Sequence, residues 1–122
     1  MELDCRWSAL DDMIAWNQGL RTKAIQDPDS WAVVFAPVTL KSGKTYPYGF
    51  GWEIEAFGGQ KRLHHAGDWQ GFSAYISRYI GDNLAIIVFA NLAYAETSQL
   101  VDGINPDFIY HSFLSGYGNF FL

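Results

Sequence analysis

Polar and apolar positions divide this chain into a helical opening, a strand-rich middle and a mixed end. Leu10, Met13, Ile14, Asn17 and Leu20 fall at i, i+3, i+4 and i+7 spacing, and Trp16 widens that stripe, so a helix is predicted from Ser8 to Lys23. Ser8 with Asp11 three residues on reads as a capping box. Asp11 and Asp12 suit the positive end of the helix dipole, and Arg21 and Lys23 suit the negative end. A short second helix opens at Asp27-Pro28, with Asp27 as N-cap and Pro28 at the first helical position; Trp31, Val34 and Phe35 form its apolar face and Pro37 ends it. Val38-Thr39-Leu40 then reads as a connector into the polar turn Lys41-Ser42-Gly43-Lys44.

The period changes to two at Tyr48. Tyr48, Phe50, Trp52 and Ile54 alternate with Gly49, Gly51, Glu53 and Glu55, which predicts a strand over Tyr48–Phe57 with an apolar face. Two glycines on its other face mark close approach by chain or ligand. Gly58-Gly59-Gln60-Lys61 predicts a hairpin turn, Phe72–Ile80 the following strand, and Gly81-Asp82-Asn83 another turn. Leu84–Ala90 is apolar throughout and reads as a central strand buried on both faces. Glu96–Ile104 reads as helical, and Asn105-Pro106 either breaks that helix or caps another through Phe113. The expected class is therefore α/β of the α+β type: an antiparallel β-meander of about three to four strands flanked by N-terminal and C-terminal helices. The expected division is a single domain fragment over 1–122, with helices in 8–36, the antiparallel sheet in 46–91, a C-terminal helical segment in 95–114 and a tail in 115–122.

Composition adds bounds. At 122 residues, 49% hydrophobic and 17% aromatic, the chain carries enough apolar surface for a core and argues against disorder. The aromatic content also suggests surface meant for a partner, a ligand or further chain. Eight Lys+Arg against thirteen Asp+Glu give a net charge of −5 without a basic patch, which excludes nucleic acid as an expected partner. A single cysteine, Cys5, rules out an internal disulfide and a cysteine-based zinc site, and the three histidines lack metal-ligand spacing, so no metal and no cofactor are expected. Met1–Ser8 lacks the basic-then-apolar pattern of a signal peptide, and no apolar run approaches the roughly 20 residues of a membrane span.

Candidate chemistry concentrates in Arg62–Phe72, R-L-H-H-A-G-D-W-Q-G-F, which places two histidines, two glycines, a carboxylate and a tryptophan between strand-like runs. His64 and His65 are neighbours on an extended segment and point to opposite faces. Lys41-Ser42-Gly43 reads as a solvated loop. Gly43-Lys44-Thr45 is not a phosphate-binding loop, because the first glycine that motif needs would fall at Val38. Gly71-Phe72-Ser73-Ala74-Tyr75 is not a nucleophile elbow, because its last position is not glycine.

Taken in order, Asp11-Asp12-Met13-Ile14-Ala15-Trp16, Tyr48-Gly49-Phe50-Gly51-Trp52, His65-Ala66-Gly67-Asp68-Trp69-Gln70-Gly71-Phe72 and Asn91 closing an apolar strand resemble the C-terminal third of the serine β-lactamase-like family. That family comprises penicillin-binding proteins, class C β-lactamases, D-amino-acid peptidases and related esterases. The resemblance implies part of a β-lactamase-like sandwich and three catalytic motifs: Ser-x-x-Lys, Tyr-x-Asn or an equivalent, and Lys-Thr-Gly or His-x-Gly on a sheet strand. His65-Ala66-Gly67 matches the third. By this likeness His65 orients substrate or moves a proton, Gly67 lets substrate lie against the strand, and the Asp68 backbone N–H supplies half of an oxyanion hole. Ala66, Trp69 and Gly71 fall on the substrate side, the substrate being a small molecule or peptide, and complete members are often bacterial periplasmic or secreted proteins.

Departures from the pattern narrow this. Ala66 lacks the hydroxyl that contacts a substrate carboxylate in Lys-Thr-Gly enzymes, which leans towards an esterase or peptidase of other specificity. No serine in the chain is followed by lysine at the third position, and Tyr117-Gly118-Asn119 stands after the His-x-Gly motif instead of before it. The nucleophile half is thus missing from these residues, and the chain alone is expected to be inactive. Without the resemblance, His65 is simply a strand histidine satisfied by a backbone partner, Asp68 caps a turn, Trp69 belongs to the core, and His64 and His111 are structural. A second expectation is a non-catalytic module that self-associates through an exposed sheet edge and aromatic surface.

Overall fold

The computed structural model describes residues 8–104. Helix α1 spans Leu10–Thr22 and α2 spans Pro28–Val34. A short ribbon pairs β1 (Val38–Thr39) with β2 (Thr45–Tyr46), and a four-stranded antiparallel meander follows in the order β3 (Glu53–Phe57), β4 (Gln60–Trp69), β5 (Phe72–Tyr79), β6 (Leu84–Ala90). Helix α3, Thr97–Gly103, closes the described chain. The α+β class with a helix-flanked meander is as the sequence predicts. The part of the expected 95–114 helical segment beyond residue 104, including whether Asn105-Pro106 breaks it or caps another helix, and the 115–122 tail lie outside the described residues.

Local chemistry accounts for most boundaries. Asp27 caps α2 by accepting from the backbone N–H groups of Asp29 and Ser30, as expected. At α1 the cap falls one residue later than the sequence suggests: Ala9 is the N-cap, and Asp12, not Asp11, accepts from the Ala9 N–H at 3.2 Å. Two hairpins close through two-residue turns. Gly58-Gly59 (φ 58° and 81°) links Phe57 to Gln60, and Gln70-Gly71 (φ 41° and 97°) links Trp69 to Phe72. Positive φ at both central positions matches the right-handed twist of the strands.

The sheet departs from the sequence pattern in two places. The alternating run from Tyr48 is not one strand, because Tyr48–Gly51 folds as a loop joined to the sheet by an isolated bridge from Tyr48 to Glu53. A side chain at Gly49 would stand 2.6 Å from the Val34 carbonyl oxygen, and Gly51 takes φ 78°. Close approach to α2 and left-handed backbone therefore override the alternation, leaving Trp52 buried and Phe50 72% exposed. The apolar run Leu84–Ala90 is also not central. Among the described residues β6 is an edge strand, and β5 is the strand buried on both faces over most of its length.

The sheet separates two cores. On one face Leu63, Ile76 and Ile87 pack with Trp52 against Leu20 of α1 and Trp31 of α2. On the other, Tyr75, Val88 and Ile86 pack against Val101 of α3. The result is a three-layer arrangement of helices, sheet and helix. Leu63 and Val101 are wholly buried; burying a side chain of this size stabilises by about 1.5–3 kcal/mol.

Candidate functional site

Strand β4 carries the motif, and its two halves sit in different surroundings. In the first half, Arg62 is buried and pairs with Glu55 of β3 and Asp102 of α3, while its guanidinium lies 4.1 Å from the centre of the Phe57 ring. Burial works to lower the Arg62 pKa, but its hydrogen bonds to Asp102, Tyr79 and Glu55 outweigh that and hold it above the ordinary arginine value. His64 Nε2 stands 3.3 Å from Glu55 Oε1, and its ring lies 5.7 Å from that of Tyr75. Burial pushes the Tyr75 hydroxyl up to about 12. This cluster ties β3, β4 and α3 together.

In the second half, His65, Ala66, Gly67, Asp68 and Trp69 are all exposed. The β4–β5 register pairs His65 with Ile76, Gly67 with Ala74 and Trp69 with Phe72. Alternation therefore puts His65, Gly67 and Trp69 on the face that carries α1 and α2, and Ala66 and Asp68 on the face that carries α3. The expected opposition of His64 and His65 follows from the same register.

Backbone direction alternates as well. The Gln70-Gly71 turn makes Trp69–Phe72 the hydrogen-bonded closing pair, so Gly67 and His65 also face β5, while the Asp68 and Ala66 amides turn to the opposite edge. On that edge β3 pairs with β4 only as far as His64, opposite Glu53. Among the described residues no strand covers the edge at Ala66 and Asp68. The Asp68 N–H therefore points to the open edge, beside the space left free at Gly67.

The side chains tell a more mixed story. The Asp68 carboxylate accepts from Ser73 Oγ, which also lies 3.0 Å from the Leu92 carbonyl oxygen and accepts from the Ala95 N–H at 3.0 Å. That carboxylate is thus engaged in tying β4 and β5 to the segment after β6. Gly71 has a conformational duty at φ 97°. Gly67 has none: an added Cβ would meet only the Ala74 Cβ, at 4.0 Å. Sequence reasoning missed Ser73 and the Arg62 cluster, since nothing in linear spacing pairs Arg62 with Asp102 forty residues on. Among the described residues no three His, Cys, Asp or Glu side chains form a group that could hold a metal ion. No described helix is long and apolar enough to cross a membrane.

No family model matches the chain. It is 32% identical over 85 residues to Penicillin-binding protein 4* of Bacillus subtilis, covering 69% of this chain and 19% of that protein. It is 30% identical over 84 residues to the D-aminopeptidase of Brucella ovis, covering 69% of this chain and 16% of the relative, and the Brucella canis D-aminopeptidase matches equally. The chain spans under one fifth of the length of these curated relatives. Both kinds of relative are serine hydrolases of the β-lactamase fold, so the resemblance carried by the motifs is also found over this longer stretch, at low identity.

Proposed function

We propose, from this likeness to the serine β-lactamase-like family, that the chain is the C-terminal portion of a serine hydrolase that cleaves an ester, amide or peptide through an acyl-enzyme. In the complete enzyme a serine activated by its lysine attacks the substrate carbonyl, the leaving group departs with a proton, and water hydrolyses the acyl-serine. His65 orients substrate or moves a proton, the Asp68 N–H stabilises the oxyanion, and Ala66, Gly67, Trp69 and Gly71 form the wall beside them.

The observation that carries this reading is Gly67. Glycine within a strand is unfavourable, and here neither packing nor positive φ calls for it. Space kept free on an exposed strand, between a histidine and an outward amide, is what a substrate lying along that strand needs. The nucleophile would come from residues other than these, because the chain holds no Ser-x-x-Lys. Incubation with a chromogenic ester and an acyl-serine probe is expected to give neither turnover nor label; a labelled serine contradicts the proposal.

The β6 edge supports a second reading, that the chain acts as a non-catalytic module pairing with copies of itself. Among the described residues β6 is an apolar edge strand, and Phe89, Leu92 and Tyr94 are exposed at its end. Light scattering separates the readings: a concentration-dependent dimer or larger species favours self-association, and a strict monomer at high concentration removes it.

A further inference from the structure

A cleft lies where α1 and α2 meet β4 and β5, on the same sheet face as His65 but towards the start of β4. It has a volume of about 390 Å³. Its walls carry four cationic side chains, Arg21, Lys23, Lys61 and Arg78, and no acidic one, in a chain whose net charge is −5. Such local concentration of positive charge against the overall balance needs a cause.

Arg78 supplies the sharper observation. Its side chain is 6% exposed, and an arginine stays charged at any ordinary pH. Nε donates to Asn17 Oδ1 at 3.0 Å, and the guanidinium lies over the rings of Phe35 and Trp52 at 5.7 and 6.0 Å. Nη1, however, is buried with no hydrogen-bond partner, and so is Nε1 of Trp31 in the same cleft. Arg62, on the opposite face, has two carboxylates; Arg78 has none among the described residues. Burial, then repulsion from Arg21, lowers the Arg78 pKa, as expected for a cation awaiting a counter-charge. A buried, unpaired charge is costly, and two buried donors without acceptors add to that cost.

We propose that this cleft binds a small organic carboxylate with an apolar body. Its head would accept from Arg78 Nη1 and Trp31 Nε1, displacing the side chains that now cover both donors, and its body would lie against the accessible Phe35, Ile80 and Leu84. Arg21 and Lys23, exposed at the rim, add attraction without fixed geometry, while Lys61 is held by the Phe35 carbonyl oxygen at 2.8 Å. The cleft volume falls in the range of small-molecule sites. This proposal is independent of the acyl-transfer reading, since none of the His65–Gly71 residues lines the cleft.

The test is titration of the isotopically labelled full chain with hexanoate, followed by NMR through the Trp31 indole N–H and the Arg78 Nε–H. Hexanamide and inorganic phosphate serve as controls. Saturable shifts of both signals at millimolar hexanoate are expected, with neither control matching them. Trp31→Phe keeps an aromatic ring, though a smaller one, and removes the donor, and should weaken binding about two- to twelvefold. Should that variant fail to fold, Arg21→Ala at the exposed rim provides the second arm, with weaker binding and a smaller dependence on salt. Absence of saturation, equal shifts with hexanamide, equal affinity for phosphate, or unchanged binding in a folded Trp31→Phe variant would each overturn the proposal.

Discussion

The two halves of β4 are built from neighbouring residues yet solve opposite problems. From Arg62 to His64 the strand is paired on both sides, packed between two helical layers and satisfied by an arginine–carboxylate cluster. From His65 to Trp69 it is, among the described residues, paired on one side and exposed. The first half shows what the described chain needs in order to fold. The second keeps features that folding does not call for, a packing-free glycine and an outward amide, and these are what a site uses. On the proposed reading, chemistry is carried where, among the described residues, the strand is left open.

The comparison can be broken most easily at Leu63, wholly buried in the first half. Leu63→Ala should cost about 2–5 kcal/mol in denaturant unfolding, the usual range for a core leucine. Arg62→Met comes next, at about 2 kcal/mol. This lies below the 3–5 kcal/mol typical of breaking a buried pair, because Glu55 and Asp102 are partly exposed and regain water. A loss under 0.5 kcal/mol there would show that the cluster does not hold β3, β4 and α3 together.

A smaller effect is expected from Tyr75. Its hydroxyl titrates near 12 in the folded chain against an ordinary 10, so the folded state holds the proton more tightly. The resulting stability is complete below pH 10 and is lost as pH rises through about 12. Tyr75→Phe should remove that alkaline slope, measured by unfolding at a series of pH values. Smallest of all, His65→Ala and Gly67→Ala should change stability by no more than about 0.5 kcal/mol. A large destabilisation from either would return that residue to a purely structural role and erase the contrast between the halves.

Much of this architecture was legible in the linear pattern. Asp27-Pro28, Gly58-Gly59 and the i, i+3, i+4 stripe of α1 each act through local physics, so they read correctly without tertiary information. Tyr48–Gly51 did not, because its backbone is decided by the approach of Gly49 to the Val34 carbonyl, which alternation cannot signal. The position of β6 was misread for a related reason. A continuous apolar run reports the strand's demand for cover and says nothing about which neighbour supplies it, and among the described residues β6 has a strand on one side only. At the candidate site the register of His65 against His64 was readable from extended geometry alone. The engagement of Asp68 by Ser73, and the unpaired donors of Arg78 and Trp31, depend on side chains converging from distant strands and helices.

The central claim is tested most directly by a hybrid enzyme. The stretch of Penicillin-binding protein 4* that matches this chain would be replaced by the matching stretch of this chain, and the rate of labelling by an acyl-serine probe would be measured with and without His65→Ala. The account predicts a hybrid that is labelled, and a fall of about a hundredfold or more on replacing His65. A folded hybrid that is never labelled, or one labelled equally fast without His65, would contradict it.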